Sequence, residues 1–173
     1  MNSVIVANVF RFFGLALLQG LVFQNVGAGW ESFPYLHVIV YPIFILLLPL
    51  RTPRALIILL GFTIGFTVDI FYDSLGVHAS AAVFTAFVRS VVLQFMEPRG
   101  GYNVNYSPTA ARMGMGWFLR YSAILMFIHL FFYFSVEAFT FVYIVDILLK
   151  TIVSFILSML FIIIYQVLFN PLD

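Results

Sequence analysis

The residues in this chain best placed for chemistry are two carboxylates and an imidazole close together in sequence: Asp69, Asp73 and His78. An acid and a histidine within reach of one another can share general acid and base work, moving a proton to or from a reacting group. Asp146 and Lys150 form a second constellation, an acid four residues ahead of a base, which is the favourable order for a pair within one helix. Such a pair is a structural lock or, at membrane depth, a proton relay. His37, His78 and His129 could ligate a metal, but no spacing such as H-E-x-x-H joins them. With no cysteine, thiolate catalysis, cysteine metal sites and disulfides are excluded. The chain also lacks the G-x-S-x-G and S-x-x-K nucleophile motifs and the P-loop and dinucleotide fingerprints. Turns favour polar residues anyway, so the Asp69, Asp73, His78 group is a weak catalytic signal. Neither an enzyme nor a bound cofactor or metal is expected.

The elements that must position these residues follow from composition. Of the 173 residues, 64% are hydrophobic and 9% charged, and the mean hydropathy is +1.11. Soluble domains carry roughly a quarter charged residues, so this chain cannot cover itself with a solvated surface. Lipid as solvent requires internal pairing of each backbone polar group, which leaves helices or a closed barrel. The apolar runs are long and do not alternate, which excludes the barrel pattern. The expected fold is all-α, a single transmembrane domain over residues 1–173. A net charge of +1 offers no basic surface for nucleic acid.

A helix needs about 20 apolar residues to span hydrocarbon. Six stretches come close: Val4–Phe23, Pro34–Leu50, Ala55–Phe71, Val77–Phe95, Trp117–Phe134 and Tyr143–Phe169. The longest break, Met96–Gly116, is rich in Gly, Pro and Asn, which predicts an irregular, mobile loop. Arg51, Arg54, Arg99 and Arg112 lie in two breaks on one side, with Arg120 just inside the fifth span. The other breaks hold Glu31, Asp73 and Glu137 and no basic residue. The positive-inside bias therefore puts loop 96–116 and both termini in the cytoplasm, as an even number of spans requires, with Trp30 and Trp117 at interfaces. A competing reading takes the first span, with Arg11 and Val26-Gly-Ala28, as a cleaved signal peptide. It would leave five spans.

Intramembrane polar groups are costly and face other helices or a cavity. Gly61, Gly65, Asp69 and Asp73 recur at intervals of four, one stripe on the third span, where the glycines allow a close backbone approach. The fourth span answers with His78, Ala82, Thr85, Ala86 and Arg89, and the turn Ser74-Leu75-Gly76 makes the two antiparallel neighbours. Arg89 lies too deep to meet Asp69, so its partner is Thr63, a backbone carbonyl or another helix. Asp146, Lys150, Ser154, Ser158 and Tyr165 share a face of the sixth span, and Ser122, Met126, His129 and Tyr133 one of the fifth. Arg11, with Gln19 deeper on the first span, and Arg120 are expected to snorkel to the interface.

The run Gly61-Phe-Thr-Ile-Gly65-Phe-Thr-Val-Asp69, followed by Gly76-Val-His-Ala79, resembles the central signature of the rod shape-determining protein MreD family. Pro34-Tyr-Leu36, the basic turn Arg51-Thr-Pro-Arg54, Arg11 and Leu18-Gln19 agree more loosely, and loop 96–116 is longer than in a typical member. The resemblance implies a six-span bundle like the S components of energy-coupling-factor vitamin transporters, in the bacterial inner membrane. It implies a cell-shape role in peptidoglycan elongation beside an MreC-type scaffold, an MreB-type filament and a RodA–transpeptidase synthase, and it carries no catalytic residue over. Partner contacts are then expected at Asp69, Asp73 and His78, with helix packing through Gly61, Gly65, Gly76 and Ala82. Two other classes stay open. One is a small-molecule-binding subunit using the polar faces near Arg89 and Lys150. The other is an enzyme acting on a lipid-linked precursor through Asp69, Asp73 and His78.

Overall fold

The computed structural model describes residues 2–26, 35–74 and 76–169. Trp30, Glu31, Pro34 and Leu75 lie outside the described residues. The elements are α1 (Asn2–Leu17), continued by a π turn (Leu18–Val22) and a 3-10 turn (Phe23–Asn25), then α2 (Ile43–Leu47), α3 (Arg54–Tyr72), α4 (Val77–Phe95), α5 (Ala110–Met113), α6 (Met115–Ala138) and α7 (Ile144–Phe169). A 3-10 turn, Phe141–Tyr143, leads into α7. Among the described residues five helices are long and apolar enough to cross a membrane: Val4–Asn25, Arg54–Tyr72, Val77–Phe95, Met115–Ala138 and Phe141–Phe169. This is an all-α, multi-pass membrane protein.

The stretch Pro34–Leu50, expected as a spanning helix, is not one. Residues 36–40 belong to no helix or strand, and helix is confined to Ile43–Leu47. Prolines set these limits. Pro42 has no N–H, and its ring would strike the carbonyl of Val38 if a helix ran through it, so it serves as the residue before α2. Pro49 pushes Leu48 out of the helical region, to ψ 141°. Residues 38–48 are buried without exception. This segment is the interior of the molecule, and the long helices surround it.

Close contacts between their ends and faces fix the directions of those helices. Gln19 Nε2 donates to the Tyr72 hydroxyl at 2.6 Å and Gly20 lies under the Phe71 ring, so the ends of α1 and α3 coincide and the two run parallel. Gly61 faces Ala82 and Ala86 while Gly65 faces His78 and Ala79, which makes α4 antiparallel to α3. Trp117 Nε1 donates to the Met96 carbonyl at 3.1 Å, starting α6 where α4 ends. Lys150 and Glu137 pair at 2.9 Å across the α6–α7 turn, and Arg11 Nε donates to the Tyr165 hydroxyl at 3.1 Å, returning the end of α7 to the start of α1. Accordingly α1, α3 and α6 point one way and α4 and α7 the other.

Loop 96–116 is irregular, as its composition predicts, but it is tied to the bundle. The Leu50 and Arg51 amides donate to the Tyr106 and Val104 carbonyls at 3.0 and 3.1 Å. Thr109 caps α5, the Arg112 guanidinium sits 4.3 Å over the Tyr106 ring, and the Tyr102 hydroxyl donates to the Leu93 carbonyl. Burial, with Tyr121 and Glu97 nearby, pushes the Tyr102 phenol up to about 12, so it remains a donor.

Candidate functional site

The α3–α4 hairpin is built from its glycines. A Cβ on Gly65 would lie 2.6 Å from both the Ala79 Cα and the His78 carbonyl oxygen, and one on Gly61 would lie 3.1 Å from the Ala82 carbonyl oxygen. The missing side chains let the two backbones touch. The hairpin tip needs two left-handed residues, Asp73 at φ 50° and Gly76 at φ 84°. Gly76 has open space around its Cβ position, so its contribution is conformational rather than packing.

Gly76 precedes α4 without a side chain, so the first N–H groups of that helix have no local cap. Asp69 supplies one from α3. Its Oδ1 accepts from the His78 amide at 2.9 Å and from the Ser74 hydroxyl, and its Oδ2 accepts from the Ala79 amide at 2.9 Å. The positive end of the α4 dipole adds to this. Asp69 is 3% exposed and His78 is 0% exposed. Of the three residues expected as partner contacts, only Asp73 presents its side chain to the outside; the carboxylate of Asp69 is taken up by the cap.

His78 turns inward among tyrosines, its ring 4.6 Å from those of Tyr72 and Tyr133 and 5.5 Å from that of Tyr41. Among the described residues neither ring nitrogen has a hydrogen-bond partner. Below it, the Thr85 hydroxyl donates to the Ala81 carbonyl at 2.8 Å, so its oxygen is left to accept from His129 Nδ1, also at 2.8 Å. The Tyr41 hydroxyl lies 3.1 Å from His129 Nε2 and donates to the His78 carbonyl at 3.1 Å, which joins the two histidines.

Gln19, Ser154, Ser158, Tyr121 and Arg89 converge on the backbone of residues 35–50. Gln19 Nε2 donates to the Val38 carbonyl at 3.0 Å, and its Oε1 accepts from the Val40 and Tyr41 amides at 2.8 and 3.4 Å. Ser158 accepts from the Ile39 amide at 3.0 Å and Ser154 donates to the Tyr35 carbonyl. The Tyr121 hydroxyl donates to the Leu46 carbonyl at 3.0 Å, and Arg89 donates to the Leu48 carbonyl and, at 3.0 Å, to Tyr121. Arg89 has thus found a carbonyl and another helix, while Thr63 bonds back to Leu59 within α3. Non-helical backbone at membrane depth is tolerated where protein supplies the missing bonds, and these side chains supply them.

Two further pairings differ from expectation. Lys150 bonds Glu137 on α6 rather than Asp146, which is exposed. Arg11 is buried and bonds Asn8 and Tyr165 instead of reaching for the interface, whereas Arg120 is exposed. The tyrosines of the network drew little notice in the sequence. Their signal is chemical: among 22 phenylalanines, a buried tyrosine is placed for its hydroxyl, which must find a partner. Comparison with protein-family models, curated proteins and solved structures gives no match for this chain.

Proposed function

We propose that this protein is a non-enzymatic scaffold in a bacterial cytoplasmic membrane, a subunit of the cell-wall elongation complex of the kind its Gly61–Ala79 resemblance to the MreD family implies. In that role it crosses the membrane six times in an S-component-like bundle, with the segment 35–50 as the second crossing. What supports six crossings is that α1 and α3 are parallel, which requires the chain to return between them. What supports a cytoplasmic loop 96–116 and cytoplasmic termini is the charge asymmetry. Arg51, Arg54, Arg99, Arg112 and Arg120 gather at one end, and Asp73, Glu137 and Asp146 lie at the other.

The observation that carries the scaffold reading is the use made of the interior polar groups. Arg89, Tyr121, Gln19, Ser154 and Ser158 hold the chain's own backbone, so the polar faces that favoured a small-molecule subunit close on residues 35–50. A core locked this way keeps the α3–α4 hairpin rigid and presents Asp73 at its tip. The MreC-type scaffold and the RodA–transpeptidase synthase would meet the outer rim, and the MreB-type filament the cytoplasmic loop. Depletion in a rod-shaped host should round the cells. Asp73→Ala should weaken co-purification with the MreC-type scaffold at unchanged accumulation. Normal shape and wall insertion after depletion would overturn the proposal.

A further inference from the structure

The first half of α1 and the start of α3 leave between them an open groove of about 500 Å³. Phe12 and Phe13 form one wall, Leu56 and Leu60 the other, and Phe44 and Leu48 lie along it from the buried segment. Arg51 and Thr52 line the end where α3 begins, and the one polar residue on the α1 wall, Asn8, is already bonded to the Val4 carbonyl and to Arg11. Arg51 is exposed and makes no ion pair with the described residues, and Arg54, the first residue of α3, is exposed beside it. Of the described acidic side chains, Asp73, Glu137 and Asp146 are at the opposite end of the bundle, and Glu97, at this end, lies beside Arg120 rather than in the groove.

We infer that this groove is a binding site for an anionic phospholipid, with one acyl chain along Phe12, Phe44, Leu56 and Leu60 and the phosphate against Arg51. The one-ended distribution of charge matches that molecule: an apolar chain in the hydrocarbon and a negative group at the interface. A guanidinium suits phosphate because its planar fork offers paired donors, and basic pockets between helices recognise anionic headgroups in this way. The volume lies within the range of about 300–1,000 Å³ typical of small-molecule sites. A partner helix fits less well. An apolar helix face offers nothing to the cationic end at Arg51, whereas a phosphate does. The inference does not depend on the scaffold reading.

The test uses the full chain in mild detergent. It is incubated with dioleoyl phosphatidylglycerol, with dioleoyl phosphatidylcholine, or with inorganic phosphate, and adducts are read by native mass spectrometry. Phosphatidylglycerol should be retained about fivefold over phosphatidylcholine, the worth of one interfacial arginine, and phosphate alone should not be retained. Arg51→Gln should abolish the preference, and Leu56→Trp, which fills the groove, should lower retention of both lipids. A phosphatidylglycerol with a photoreactive acyl chain should crosslink within residues 44–60, which locates the site without any substitution. Equal retention of both lipids, indifference to Arg51→Gln, retention of free phosphate, or crosslinks confined to other segments would each overturn the inference.

Discussion

A single amide shows how the interior depends on individual side chains. Gln19 bonds the Val38 carbonyl, the Val40 and Tyr41 amides and the Tyr72 hydroxyl, so it ties α1 to the buried segment and to α3 at once. Gln19→Leu keeps the size and deletes all of these bonds. The Val38 and Val40 backbone groups would then be orphaned out of reach of water, at about 1–3 kcal/mol each. The variant should lose at least about 2 kcal/mol, seen as a lowered thermal midpoint in detergent. An unchanged midpoint would show that water or a neighbouring group reaches those atoms. Asp69 follows the same logic. Asp69→Asn keeps one acceptor for the two amides at the start of α4 and should be milder than Asp69→Ala, which removes both. Gln19, Asp69 and Arg89 are visible in the sequence as costly residues at membrane depth, but their partners are not. Backbone atoms carry no sequence signal, and here most of the partners are backbone atoms.

At the level of elements, legibility divides by what hydropathy measures. The stretches Ala55–Phe71 and Val77–Phe95 correspond closely to α3 and α4, because a segment facing lipid must be both apolar and internally bonded. The expected span Pro34–Leu50 is just as apolar, yet its residues 38–48 are enclosed by protein, which frees them from the second condition. Its departure from helix is written in Pro42 and Pro49 rather than in its hydropathy. The glycines of the hairpin are legible for a related reason: a residue without a side chain, repeated every four positions, has a face with room for a neighbouring backbone. Gly65→Ala should therefore be costly. The new Cβ would meet backbone atoms at 2.6 Å, which cannot move aside without separating α3 from α4. A penalty of about 1–3 kcal/mol is expected from such overpacking. Gly14→Ala on α1 is the matched control, since nothing lies within 4 Å of its Cβ position. It should stabilise by about 0.5–1 kcal/mol through helix propensity. Equal midpoints for the two variants would mean that the hairpin is looser than its geometry implies.

For the whole molecule the decisive quantity is the number of crossings, because it sets which loops share a compartment. With α1 and α3 parallel, residues 26–53 must carry the chain back to the side from which it started. A proposal of six crossings then places Thr52 and Gly100 on one side and Asp73 and Thr140 on the other. Five crossings in all, with the segment 35–50 turning back, would instead leave the start of α1 and the end of α7 on opposite sides, against the Arg11–Tyr165 bond that joins them. The chain suits the test because it has no cysteine, so each introduced cysteine is its sole thiol. Thr52→Cys, Gly100→Cys, Asp73→Cys and Thr140→Cys sit at exposed or half-buried positions outside the long helices and leave the buried network intact. In intact cells a membrane-impermeant maleimide should modify the cysteines at 73 and 140 and spare those at 52 and 100 until the membrane is opened. Modification of position 52 together with 73 would mean that the segment 35–50 turns back without crossing, and the proposed topology would fall with it.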